Sequence, residues 1–292
     1  MNRRKFLIET GALTTSTALA GSGYLVIEDQ NMKPAPKLKD RILADFHAHP
    51  ANYHSQEETL GMLTRRCLIG LSWLDYPGAK TILTYEQALG LPKVTEIDSG
   101  LLARIDNKHK TGYFIKTQEL QPEQNIVHLL ALGCKKYISK ELDAKEAIKT
   151  IHQQGGLAIL NHPYVTVNRG SRIIPYRLIN SEEEKEVEEI SSLVDEIEVF
   201  NAQNINPTFG IVVPNMKKAN ELAQELTERQ GKIGIAASDA HRRLEQIGIT
   251  GIYLPEQDLC WESIRNNILT KNFERYEQYV SRWSFINGMF FS

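Results

Sequence analysis

Cysteine is scarce in this chain of 292 residues: Cys67, Cys134 and Cys260 are all it has. Any disulfide scheme leaves one of three thiols over, and no spacing among them is a metal-binding C-x-x-C. They read as small core hydrophobes, which excludes a disulfide scaffold and a zinc ribbon. Charge of one sign is lacking too. The formal net charge is −2 and the sequence pI about 6.5, so no bulk basic field favours nucleic acid, although a local basic groove stays open. Long apolar runs are missing as well. The mildly apolar stretch through Ala20 is broken by Glu9 and several threonines, and is too short and too polar for a stable spanning helix. There is no internal repeat and no low-complexity segment. What is present is 41% hydrophobic residues, enough for one substantial core. Single-domain α/β barrels of about 200 to 250 residues are common.

Two short dyads, far apart in the chain, carry the most information. His47-Ala48-His49 closes the apolar run Ile42-Leu43-Ala44-Asp45-Phe46, and Asp239-Ala240-His241 closes Ile233-Gly234-Ile235-Ala236-Ala237-Ser238. Side chains at i and i+2 of a strand point to one face, so each dyad presents two ligand-type groups as a pincer. Imidazole with carboxylate suits a divalent transition metal. Pincers so far apart in sequence converge if a closed barrel makes the first and last strands neighbours.

Further candidates end or interrupt short apolar runs between them. Glu119 follows Tyr113-Phe114-Ile115-Lys116-Thr117, and His128 interrupts Ile126-Val127-His128-Leu129-Leu130. His162 ends Leu157-Ala158-Ile159-Leu160-Asn161 and is stopped by Pro163, which disfavours helical backbone before it. Glu198 and Asn201 frame another such run and are expected to line the site without binding metal directly. Strand ends form the catalytic face of an α/β barrel. His152, on a helix, reads as structural or solvent-facing, and His109, between two lysines, as loop.

The order of these motifs resembles the PHP (polymerase and histidinol phosphatase) superfamily. Its pattern is D-x-H-x-H, G-x-E, a strand with His, an A-H-P and a closing S-D-x-H. Here those positions read Asp45-Phe46-His47-Ala48-His49, Thr117-Gln118-Glu119, His128, Asn161-His162-Pro163 and Ser238-Asp239-Ala240-His241, over roughly residues 42 to 280. The resemblance implies a distorted TIM-like (β/α)7 barrel holding two or three divalent ions (Zn, Mn or Fe). It implies metal ligands among His47, His49, His54, Glu119, His128, His162, Asp239 and His241, with Glu119 bridging and Asp239 accepting a hydrogen bond from the attacking water. The activity it implies is hydrolysis of a small phosphorylated substrate, with Arg169 and Arg172 placed to fork a phosphate. The chain departs from the pattern at its second strand. The family has a T-D-H there, whereas Ile69-Gly70-Leu71-Ser72-Trp73-Leu74-Asp75-Tyr76 has no histidine, leaving Asp75 as a substitute. That gap keeps two alternatives open: a PHP-like domain binding metal or ligand without turnover, and a hydrolase acting on a non-phosphate bond.

Asn2-Arg3-Arg4-Lys5-Phe6-Leu7 resembles a twin-arginine export signal, with Ala18-Leu19-Ala20 as a small-residue cleavage site before Gly21. Residues 1–27 are thus expected to engage the twin-arginine export machinery and lead to a periplasmic or otherwise extracytoplasmic location. As that resemblance implies, the route carries folded proteins, which suits an enzyme loaded with ions before export. Residues 28–41, with Pro34 and Pro36, read as a tether to a hydrolase domain at 42–292. Within that domain, periodicity predicts helices over 57–66, 143–154, 215–230 and 261–269, and a late strand over 248–254. The acidic run from Glu182 to Glu186 reads as a solvated helix face, and residues 76–110 as a substrate-facing insertion.

Overall fold

The run from Arg41 to His49 is buried on both faces, as expected of a strand enclosed in a barrel, and forms β1. The computed structural model describes residues 32–65, 67–74, 82–108, 110–167, 176–205, 215–241, 243–282 and 284–285. After β1 come α1 (Gln56–Leu63), β2 (Cys67–Leu74), α2 (Tyr85–Leu89), β3 (Val94–Asp98), β4 (Leu102–Asn107), β5 (Lys110–Leu120) and β6 (His128–Leu132). Then follow α3 (Ala144–Gln153), β7 (Leu157–Asn161), β8 (Val165–Val167), β9 (Tyr176–Leu178), α4 (Ser181–Ser191) and β10 (Glu196–Asn201). The remaining elements are α5 (Lys217–Arg229), β11 (Ile235–Ala237), β12 (Ala240–His241), β13 (Gly251–Pro255), α6 (Trp261–Leu269) and β14 (Glu274–Tyr276).

The main sheet runs β11-β10-β7-β6-β5-β2-β1-β13-β14, and β12 returns to pair in parallel with β1 at Ala48↔Ala240 and His49↔His241. β1 is therefore shared, its first half paired with β13 and its last residues with β12. The sheet is a nearly closed, distorted TIM-like barrel, the fold class expected from the sequence. The distortion centres on β6, which runs antiparallel to both β5 and β7. No helix lies between β5 and β6, so the chain turns back directly and β6 begins at His128 rather than running through it. Residues 82–107 hold α2 and the β3–β4 hairpin. The hairpin pairs with the first half of β5, remote from Glu119, so it extends the sheet instead of facing the strand ends as expected.

Apolar residues divide into layers. Ala44, Phe46, Leu68, Ile115, Leu130, Ile159, Ile235 and Ile252 form one cluster contributed by seven strands of the barrel. A second packs β6, β7 and β10 against α3, α4 and α5. Helix ends follow side-chain capping: Ser55, Asp143 and Asn180 each form reciprocal capping boxes, with Glu58, Glu146 and Glu183. Apolar spacing puts Ala144, Ala147, Ile148 and Ile151 on the buried face of α3. The acidic helix α4 is held at its edges by Arg177–Glu183, Lys145–Glu189 and Arg229–Glu188.

One glycine is dictated by the site. β1 carries a register shift between Asp45 and Ala48 opposite Gly70 of β2. A Cβ on Gly70 would lie 2.1 Å from the Phe46 carbonyl oxygen, so only glycine lets the two strands approach there. Residues 32–41 lie against the domain. Lys33 exchanges two hydrogen bonds with Gln278, and Tyr253 donates to the Pro36 carbonyl at 2.5 Å.

Candidate metal centre

Pairing of β12 with β1 brings the two dyads to one barrel mouth. There His47 Nε2 and His49 Nε2 face each other at 3.1 Å, with both rings buried. The opposite nitrogen of each ring is committed. His47 Nδ1 lies 2.7 Å from Glu198 Oε2, and His49 Nδ1 lies 2.7 Å from the Ser72 carbonyl oxygen. A carboxylate and a carbonyl only accept, so each Nδ1 carries its hydrogen and each Nε2 is turned toward the other ring, where it can bind a cation once it carries no proton. Glu119 Oε2 stands 3.4 Å from His47 Nε2 and 3.1 Å from His49 Nε2. Asp239 Oδ1 stands 3.4 and 3.6 Å from the same two atoms. Four potential ligand atoms converge, two imidazole nitrogens and two carboxylate oxygens. Ligand atoms about 2.1 Å from a tetrahedral ion lie about 3.4 Å apart, the spacing found here. The donor set therefore fits a divalent cation.

A second group shares Glu119. His128 Nδ1 lies 2.8 Å and His162 Nε2 3.2 Å from Glu119 Oε1. His128 reaches this mouth because β6 is reversed: its first residue, paired with Asn161, lies level with the last residue of β7. His47, Glu119 and His162 form one cation-competent triad and His47, His49 and Asp239 another. Asp239 Oδ1, the oxygen aimed at His47 and His49, is buried and makes no hydrogen bond among the described residues, as expected of an atom facing an ion; Asn161 Oδ1 and the nitrogens turned away from Glu119, His128 Nε2 and His162 Nδ1, are likewise buried without one. His162 and Asp239 also have left-handed backbone, φ 24° and 47°. Such strain in residues without glycine's freedom concentrates at functional sites.

Charge within the mouth is strongly coupled. For Glu119, burial pushes the carboxyl up, but His47 and hydrogen bonds from His128 and His162 outweigh it and hold it well below the usual range. Burial likewise opposes ionisation of Asp239, and the charges on His47, His241 and His162 bring it below the usual value. His47 shows the converse. Burial disfavours its imidazolium, yet Asp239, Glu198 and Glu119 together lift it well above an ordinary histidine. The carboxylates thus stay ionised, and without a metal it is a proton that His47 holds among them.

Asn201 ties the frame together. Its amide nitrogen donates to Glu198 Oε1 at 2.8 Å and to Asp239 Oδ2 at 2.9 Å, while its oxygen accepts from the Gln203 backbone at 2.8 Å. Gln203 in turn donates to the Ser238 carbonyl at 3.1 Å. Asp45, buried, leaves the centre to its neighbours and accepts from the backbone nitrogens of Ser238 at 3.0 Å and Gly248 at 2.9 Å. Its burial raises its pKa to about 6, partly offset by those bonds.

The structure thus gathers His47, His49, Glu119, His128, His162 and Asp239. Among the described residues, His54 Nδ1 lies 3.9 Å from Glu58 and its ring packs on Tyr53. His241 borders the same group, its ring 4.6 Å from that of His49 and its Nδ1 3.4 Å from Asp239 Oδ1 and 2.9 Å from the Asp239 carbonyl oxygen. Arg169, Arg172, Asp75 and His109 lie outside the described residues, as does the signal-like segment. Leu74 occupies the β2 position paired with Glu119, so β2 offers no ligand there. His152 pairs with Asp195 on the outside of the barrel at 2.9 Å. Sequence reasoning missed the Ser72 carbonyl and the roles of Gln203 and Asp45. A backbone carbonyl has no sequence signature; for Asp45 the signal was its place two residues before His47.

No protein-family model matches the chain, and no curated protein matches it. Among solved structures, PsfC from Pseudomonas syringae PB-5123 is similar with a TM-score of 0.52 at 12% identity, over 82% of this chain and 93% of that one. The lesion-specific endonuclease PfuEndoQ from Pyrococcus furiosus gives a TM-score of 0.47 at 15% identity. That match covers 80% of this chain, which spans only 57% of the endonuclease. At these identities the likeness to PsfC is one of fold.

Proposed function

We propose that this protein is an exported metal-dependent phosphoesterase that hydrolyses a small phosphate ester by attack of an activated water. The observation that carries the reading is the cage of His47, His49, Glu119 and Asp239, in which the two histidine Nε2 atoms lie 3.1 Å apart and 3.1 to 3.6 Å from the two carboxylates. Such a cage costs free energy unless a cation, a metal ion or the proton on His47, offsets the buried carboxylate charges that face one another. The motif order shared with the PHP superfamily supports phosphoester chemistry as the use of that cation.

Bound divalent ions would lower the pKa of a coordinated water and offset the charge that builds on the phosphoryl oxygens. The residues do the rest. Glu198 and the Ser72 carbonyl hold His47 and His49 in the tautomer that presents Nε2. Glu119 directs one oxygen at His47 and His49 and the other at His128 and His162, which suits a bridge between two ions. Asp239 keeps Oδ2 on Asn201 and turns Oδ1 inward, where it would accept a hydrogen bond from the attacking water. Arg169 and Arg172 are assigned to the substrate phosphate, and the twin-arginine-like segment to export.

The test is to purify the protein from cytoplasm, measure its metal content, and assay turnover on aryl phosphate monoesters and a panel of phosphodiesters. Bound divalent metal with metal-dependent turnover of either class is expected. Metal without turnover on any phosphate ester would favour a binding domain or a hydrolase of another bond.

A further inference from the structure

The two halves of the centre are supported unequally. On one side every group facing the cage is anchored from behind: His47 by Glu198 at 2.7 Å, His49 by the Ser72 carbonyl at 2.7 Å, and Asp239 by Asn201 at 2.9 Å. Three carboxylates crowd that side, since Glu198 lies behind His47 and both Glu119 and Asp239 lie in front. On the other side the second nitrogens of both rings, His128 Nε2 and His162 Nδ1, are buried without a hydrogen bond among the described residues. The carboxylate those rings contact is Glu119, whose charge is already shared with the first side.

We infer that the centre holds its ions with unequal affinity, retaining the one bounded by His47, His49 and Asp239 and exchanging the one bounded by Glu119, His128 and His162. This rests on the metal-dependent reading of the site but not on its substrate. Groups behind a ligand fix its tautomer and orientation and raise its basicity, and losing one costs about 10- to 100-fold in metal affinity. Two anchored imidazoles and an anchored carboxylate face two rings whose outer nitrogens have no hydrogen-bond partner among the described residues. The gap between the sites therefore spans at least one such step. With Glu119 counted in both, the second half has three protein ligands against four in the first, leaving room for solvent or substrate oxygens. The chain would then leave dilute or chelating surroundings with one ion in place and regain activity when the second returns.

Stripped protein titrated with Mn²⁺ or Zn²⁺ against a chromophoric chelator tests this, with metal counted after desalting. Two resolved steps are expected, separated by at least about 10-fold, with one equivalent surviving desalting. His128→Ala and His162→Ala should each remove the weak step and leave the tight one in place. Glu198→Gln, or Asn201→Leu should the first fail to fold, should weaken the tight step by about 10-fold or more and narrow the gap. Two indistinguishable steps, or loss of the tight step in His128→Ala, would overturn the inference while leaving phosphoesterase turnover free to be found. Absence of any metal binding would overturn both.

Discussion

His47 Nδ1 and Glu198 Oε2 meet at 2.7 Å across 151 residues of sequence, with both side chains fully buried. The contact joins β1 to β10, strands that do not pair with each other, and it decides which nitrogen of His47 faces the metal centre. Breaking a buried pair from one side costs about 3–5 kcal/mol. Glu198→Ala should therefore lower stability in denaturant by about that amount in the metal-free protein, and more weakly bound metal should accompany it. A stability change under about 0.5 kcal/mol would mean that the contact contributes nothing to the fold.

Substitution of the inward groups should separate ligands from bystanders. His47→Ala, His49→Ala, Glu119→Ala and Asp239→Ala are expected to reduce bound metal and bring phosphoesterase turnover to background. Glu119→Ala should lose more than one equivalent because each of its oxygens faces a different pair of histidines. His152→Ala, which removes only an exterior pairing with Asp195, should keep both metal and turnover. A Glu119→Ala protein with full metal content would refute the bridging assignment.

Asp45 makes a prediction about stability rather than chemistry. Its carboxylate satisfies the buried backbone nitrogens of Ser238 and Gly248. Asp45→Ala strands both, at about 1–3 kcal/mol each. It should also loosen the segment carrying Asp239, so metal affinity should fall although Asp45 faces no ion. Chemical denaturation of the metal-free variant, followed by metal titration, checks both effects. Wild-type values for both would show that other groups close the barrel.

Metal binding should release protons. His47 is held well above an ordinary histidine by Asp239, Glu198 and Glu119 against the opposing effect of burial. In the metal-free protein that proton stabilises the fold at low pH, and the contribution is lost as pH rises through the raised value. An incoming cation must displace it from Nε2. Apparent metal affinity should therefore fall as pH is lowered from about 8 to 5, and calorimetry in buffers of different ionisation enthalpy should report about one proton released near neutrality. Binding that is independent of pH and buffer would show that His47 is already deprotonated.

Gly70→Ala and the paired arginines probe the scaffold and the destination. A Cβ at Gly70 would collide with the Phe46 carbonyl at 2.1 Å, so the alanine variant should lose about 1–3 kcal/mol and bind metal less tightly through displacement of β1. Independently, Arg3→Lys with Arg4→Lys should leave the protein in the cytoplasm, as fractionation would show. Unchanged export would remove the twin-arginine reading without touching the metal centre.

Local sequence determined where ligand-type residues end apolar runs, which helices form and where capping boxes start them. Side-chain period alone shows that His47 and His49 share a face, and α3 is legible from its apolar spacing. What lay beyond local pattern was everything set by long-range pairing. Reversal of β6 brought His128 level with Asn161, because the turn after β5 carries no helix; a string of strand-like runs does not specify strand direction. The register shift opposite Gly70 interrupts the regular pairing of β1 between Asp45 and Ala48, and Asp45 holds the closing segment instead of the centre. The tautomers of His47 and His49 depend on Glu198 and on the Ser72 carbonyl, partners distant in the chain. Local propensity acts within a few residues, whereas a hydrogen bond from one strand to another exists only after the barrel has closed.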